Sequence, residues 1–307
     1  MRRSNGLELA FIGVWTSGYV VGTIATRAAP PLAVNAWRMG IAAGLLAGIA
    51  ALRRDRWPRA RDLAPVAVAG ILLLAVQFGG FYLALGAGLP AATVSLVASC
   101  TPVLVGVTGA VTGSEPLSPR QWLGAALGLA GVVAALSDHL SATGSLTALL
   151  CALVGLTGSV SGTLAQRRLP TRPGLAAVAS LEAAVAAIVL APVAALHGGL
   201  AIPLHPVALT AIAWLALVGS ATGSLILFTL IRRRGATRAS ALLFCIPATV
   251  ALASWPILGQ APSVGVLAGL LASAVGVTLM YRQAPTPSPA TTHAEPETAL
   301  SDTGPVR

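Results

Sequence analysis
The predicted fold class is an all-α integral membrane protein, with ten transmembrane helices in two inverted five-helix repeats. Three observations predict it: a very apolar composition, ten apolar runs of spanning length, and a segment written twice along the chain. Hydrophobic residues make up 56% of the 307 and charged residues 9%, against about 25% charged in soluble domains. Such a chain cannot build a water-facing surface, so most of its surface must face lipid.

A helix needs about 20 apolar residues to cross about 30 Å of hydrocarbon. The runs of that length are Leu7 to Thr26, Leu32 to Leu52, Leu63 to Leu85, Ala91 to Val111, Pro119 to Ser137, Leu146 to Ala165, Gly174 to Leu196, Val207 to Ile231, Thr237 to Leu258 and Ser263 to Tyr281. Each is expected to be helical, because a lipid-exposed segment has to satisfy its own backbone polar groups. The first follows Met1-Arg2-Arg3, as an export signal would. It is longer than a signal peptide's apolar core and nine more runs follow, so it reads as a retained span.

The doubling is seen at an offset of 145, which pairs Ser95 with Ser240, Cys100 with Cys245, Pro102 with Pro247, Gly124 with Gly269 and Gly131 with Gly276. At an offset of 140, Gly18 pairs with Gly158, Gly22 with Gly162 and Arg27 with Arg167. The repeats expected are residues 1–142 and 143–282, and each holds five spans. An odd number of spans makes the second copy enter the membrane from the opposite side. Inverted repeats allow two states of one fold, open inward or outward, by exchanging the conformations of the halves.

Arginine sets the orientation. The net charge is +10 and every basic residue is Arg. With the N terminus inside, 17 of the 19 arginines fall in inner loops or termini, leaving Arg27 at an outer end and Arg38 within the second span. That bias in short loops places both termini in the cytoplasm. The same arginines form no basic stripe beside aromatics, so nucleic acid is excluded as a partner. The absence of Lys and the abundance of Ala point to a GC-rich bacterium, hence to its inner membrane.

Two ionisable residues lie inside spans, Arg38 in the second and Glu182 in the seventh, 144 positions apart and so at matching depths about the pseudo-twofold axis. A charge at mid-membrane costs at least about 2.5–3.5 kcal/mol, so neither should face lipid. Arg38 is the candidate contact for an anionic group such as a carboxylate, and Glu182 the candidate cation partner or proton carrier. Structural pairing or snorkelling to an interface stands beside those roles. Pro102 and Pro247 each remove a backbone donor and leave the carbonyls of Ala98 and Leu243 without their helical partner, so they are the expected helix breaks and hinges. The glycine ladders, such as Gly124 with Gly128 and Gly158 with Gly162, are read as close helix contacts.

The segment Val14-Trp15-Thr16-Ser17-Gly18-Tyr19, Trp37-Arg38 in span two, and the mid-helix Pro102 ahead of Gly113-Ser114-Glu115-Pro116-Leu117-Ser118 resemble the EamA branch of the drug/metabolite transporter superfamily over residues 7 to 282. One departure is that Gln260 stands where the family's pattern repeats the acid kept at Glu115. The resemblance implies a secondary transporter that exports a small metabolite such as an amino acid or a related compound. It also implies alternating access around a central cavity between the repeats, with spans 5 and 10 outside. The residues read as cavity candidates are Trp15, Tyr19, Arg38, Gln77, Tyr82, Ser159 and Thr222, with Glu182 for coupling. Hydroxyls in such spans also commonly bond their own helix, and Trp15 and Trp37 also suit interface anchoring.

Other chemistries have less support. His139, His197, His205 and His293 hold no metal-ligand or triad spacing, and no Walker-type phosphate loop occurs. The expectation is therefore no catalytic residue, no metal and no cofactor, with a membrane enzyme, a lipid flippase and a non-transporting scaffold as the competing classes. Cys100, Cys151 and Cys245 read as packing residues. Expected partners are a small-molecule substrate and the lipid bilayer, with proton coupling and a homodimer left open. Residues 283–307, rich in Pro, Thr, Ser, Ala and Glu, read as a disordered cytoplasmic tail.

Overall fold
The computed structural model describes residues 2–113, 116–137, 145–169, 173–224, 226, 229–230 and 242–281. Glu115, His139, Ser240 and the 283–307 tail lie outside them. All elements among the described residues are helical: α1 Arg2–Ala28, α2 Pro31–Arg53, α3 Ala60–Gly86, α4 Ala91–Val111, α5 Pro119–Ser137, α6 Ser145–Gln166, α7 Leu175–Leu196, α8 Pro206–Thr222, α9 Ile246–Leu258 and α10 Val264–Tyr281. Each overlaps one predicted run, and α1 to α7 are long and apolar enough to cross a membrane. Large apolar side chains such as Leu52, Val111, Ile188, Leu196, Leu252 and Leu271 point outward, as a lipid-facing surface requires.

Two helices depart from α geometry. Residues Ile71–Val76 of α3 and Leu215–Thr222 of α8 are wound as π-helix, at starting positions 144 apart in the chain. The wider turn is visible in side-chain bonding: the Ser220 hydroxyl donates to Leu215 O (3.2 Å) and Thr222 to Leu217 O (2.9 Å), both five residues back. Sequence patterning had no signal for these turns, which recur at functional sites. α4 breaks at Cys100, with Pro102 in the first turn of its second half, and Pro247 occupies the first turn of α9. The Ala98 carbonyl, deprived of its helical partner, accepts the Thr101 hydroxyl at 2.8 Å.

Packing pairs α5 with α10, α2 with α7, α3 with α6, and α1 with α8 and α9. The α5–α10 crossing is made by the doubled glycines: a Cβ on Gly131 would stand 2.8 Å from Gly269 O, and one on Gly276 2.5 Å from Gly124 O. Each glycine meets the sequence equivalent of the other's partner, and only backbone can approach so closely. Between α2 and α7, Ser180 donates to Ala43 O at 2.9 Å. At one end of that pair Asp55 accepts from the Ala176 N–H (3.2 Å), which ties the α2–α3 loop to the start of α7 and meets an otherwise orphaned helix donor.

Candidate functional site
Arg38 is carried by α2, whose other face is packed on α7, so its side chain projects toward α3 and α8 and is 5% exposed. Its Nε donates to Ser220 Oγ at 2.9 Å and its Nη1 to the Tyr82 hydroxyl at 2.6 Å. The guanidinium lies over the Phe78 ring, 4.3 Å from its centroid, and 5.6 Å from that of Tyr82. The π-turn of α8 presents Ser220 to this group, and Gly219 lies beside Nη2, where a Cβ would stand in ordinary contact at 3.7 Å. Among the described residues the ion pair is Arg61 with Asp62 (3.7 Å); Arg38 has no carboxylate partner. Its charge is held by two hydroxyls and two aromatic faces, a set that leaves three of its five N–H donors for another group.

A cavity of about 90 Å³ opens beside Arg38, walled by Trp15, Tyr19, Gln77, Phe78 and Tyr82. A second, of about 370 Å³, shares Trp15, Tyr19 and Gln77 with the first and continues past Ser99, Thr101, Pro102 and Ser159 to Arg167. The smaller lies between α1, α2, α3 and α8, and the larger between α1, α3, α4, α6 and α9. The break in α4 turns its backbone along this wall, and the Thr101 and Ser159 hydroxyls, 2.8 Å apart, join α4 to α6 there. Opposite them Thr16 and Thr249, 2.6 Å apart, join α1 to α9.

Five of the residues read from sequence thus meet at the smaller cavity: Trp15, Tyr19, Arg38, Gln77 and Tyr82. Ser159 and Pro102 line the larger one. Thr222 lies on the exposed face of α8 with its hydroxyl bonded within its own helix. Pro247 is buried beside Ile246, a lining residue. Glu182 is in neither lining. It is 7% exposed and sits where the backbone of α7 crosses α3 at Gly70, with its Oε1 buried and without a hydrogen-bond partner among the described residues. Arg38 and Glu182 form no ion pair. Phe78, Gly219 and Thr101 were not singled out from sequence. Phe78 and Gly219 follow Arg38 through the fold alone, whereas Thr101 adjoins Pro102 and was within reach of that signal.

Gln260 shows what its departure from the family pattern does. Its Oε1 accepts from the Ala91 N–H at 3.1 Å, bridging the α9–α10 turn to the start of α4. An amide oxygen caps an orphan helix donor as a carboxylate would, without the charge.

The model of the EamA-like transporter family matches the chain twice, over residues 7–137 and 145–282. The "Uncharacterized inner membrane transporter YedA" of Escherichia coli K12 is 30% identical over 128 residues, 42% of each chain, so that match spans less than half of the relative. The "Probable terminal-alkyne amino-acid exporter" of Streptantibioticus cattleyicolor is 29% identical over 255 residues, 79% of this chain and 80% of its own. The "Uncharacterized transporter YvbV" of Bacillus subtilis is 27% identical over 285 residues, 89% and 90%. A solved crystal structure superposes with a TM-score of 0.64 over 90% of this chain and 95% of that one, at 22% identity, which speaks to fold alone. With both copies of the family model together covering nearly the whole multi-pass membrane chain, this protein belongs to the EamA-like transporter family.

Proposed function
We propose that the chain is a secondary carrier that exports a small metabolite by alternating access between two inverted five-helix halves, residues 1–142 and 143–282. The observation that carries this reading is Arg38: a buried cation with no acidic partner among the described residues, braced at a cavity between α1, α2, α3 and α8. A protein that needed only a stable scaffold would gain nothing from such a group, since an uncompensated buried charge is costly. Support for inversion comes from the doubled family match, the reciprocal glycines of α5 and α10, and the paired π-turns.

With both termini in the cytoplasm, Arg167 lies at the inner membrane face and the larger cavity reaches toward the cytoplasm. The Gln260–Ala91 bond then lies at the outer end, beside the closed side of the bundle. Amino acids are one substrate class under test, because a relative is named as an amino-acid exporter. Glu182 is the proposed coupling group, reached from the α3–α6–α7 side instead of through the substrate cavity. The test is a flux screen of amino acids, organic acids, organic cations and drugs in vesicles, with and without a pH gradient. Substrate-dependent flux that falls in Arg38→Gln at equal expression is the expected result, and no flux across the panel sinks the carrier reading.

A further inference from the structure
We infer that the cavity selects small organic anions, carboxylates with an apolar body, over amino acids and organic cations. The inference rests on the carrier reading above and names its substrate class.

The first ground is charge. The two cavities share a wall at Trp15, Tyr19 and Gln77, and among the described residues their linings together contain Arg38 and Arg167 but no Asp or Glu. Of the nine acids in the sequence, Glu182 alone lies in the interior of a span, and it sits behind α3 and α6, outside both linings. Glu8 lies two helical turns before Trp15 on α1. Asp62 lies in the first turn of α3, and the remaining acids fall between the apolar runs or in the 283–307 stretch. A positive, low-dielectric cleft concentrates anions and repels cations.

The second ground is geometry. Arg38 is held by Ser220, Tyr82 and Phe78 through Nε, Nη1 and the guanidinium face, and Arg38 and the Gly219 beside its Nη2 both line the smaller cavity. Planar guanidinium donors match an oxyanion in number and spacing. An ammonium meets no carboxylate among the described lining residues. The Phe78 and Tyr82 faces that could attract it already hold the Arg38 cation, which would repel a second. The larger cavity, about 370 Å³ and walled partly by Trp15, Val105, Leu243 and Ile246, takes the apolar body. Arg167 is exposed at its far end and meets the anion first.

The probes are matched sets that keep one carbon skeleton and change the charged end: 3-phenylpropionate, L-phenylalanine and 2-phenylethylamine; indole-3-propionate, L-tryptophan and tryptamine; hexanoate, norleucine and pentylamine. Phenyl phosphate is the phosphate arm. Binding is read by titration calorimetry on the full chain in nanodiscs at low salt. The expected result is that in at least two sets the acid binds about tenfold or more tighter than its partners, a difference of about 1.4 kcal/mol. Arg38→Gln should erase that difference, Arg38→Lys should keep its sign, and the exposed Arg167→Gln should weaken the acids several-fold with an unchanged melting temperature. The inference is overturned if an amino acid or amine binds as tightly as its acid in two sets, if phenyl phosphate outbinds 3-phenylpropionate, if the preference survives Arg38→Gln, or if no acid binds at 10 mM. Flux of an amine or amino acid through the same protein would remove the anion selectivity while leaving the carrier reading intact. Binding of acids without flux of any probe would do the reverse.

Discussion
Gly18 and Gly158 are equivalent by sequence, 140 positions apart, yet an alanine should behave oppositely at the two. A Cβ on Gly158 would stand 2.7 Å from Gln77 N, 2.8 Å from Val76 Cγ1 and 2.9 Å from Leu72 O, whereas one on Gly18 meets nothing within 4 Å. Two of the three obstacles at Gly158 are backbone atoms of α3, so relief requires α6 and α3 to separate by several tenths of an ångström. Overpacking of that kind costs about 1–3 kcal/mol, a factor of about 5 to 150 in an equilibrium. Gly158→Ala should therefore lower the melting temperature in nanodiscs by a few degrees, and Gly18→Ala should leave it unchanged. If the halves exchange conformations, α1 and α8 close in the other state as α3 and α6 do in this one. Gly18→Ala should then slow transport while leaving stability alone. Equal effects of the two substitutions on both readouts would refute the reasoning, as would a Gly158→Ala protein with wild-type stability and flux.

Four further outcomes are expected. Tyr82→Phe keeps the ring but removes the hydroxyl that accepts from Arg38 at 2.6 Å. Hydrogen bonds to charged groups are worth about 1.5–3 kcal/mol, so the transport KM should rise by about tenfold or more, and Ser220→Ala in the same background should be non-additive in a double-mutant cycle. Gly276→Val places side-chain atoms against Gly124 O, 2.5 Å from its Cβ position, and should cost stability by thermal unfolding without changing KM, because α5 and α10 line neither cavity. Gln260→Ala loses the cap on Ala91 N and should destabilise by about 1 kcal/mol, read as a lower unfolding temperature. Glu182→Gln at equal expression should abolish the dependence of flux on a pH gradient; unchanged pH dependence would remove its coupling role.

The legibility of this protein divides along physical lines. Ten helices, their approximate ends and the membrane setting follow from apolar run length, because lipid forces each segment to satisfy its own backbone. The breaks at Cys100 and ahead of Pro247 follow from proline's missing donor. The reciprocal approach of Gly124, Gly131, Gly269 and Gly276 was foreshadowed by the doubling, though the pairing partners were not. Trp15, Tyr19, Arg38, Gln77 and Tyr82 were legible as polar or aromatic groups in spans that must turn away from lipid.

What the sequence by itself determined is therefore what the solvent dictates residue by residue: which segments are helices, which faces are apolar, and that Arg38 and Glu182 must be buried. What only the tertiary structure decided is which buried groups meet. Glu182 and Arg38, 144 positions apart, part company because Gly70 lets the backbone of α7 close on α3 on one side, while a π-turn of α8 brings Ser220 to Arg38 on the other. Thr222, two residues beyond Ser220, is turned outward by the same winding. Burial is a property of each segment against lipid, but contact depends on how helices cross, and small residues and helix irregularities far apart in the chain set those crossings.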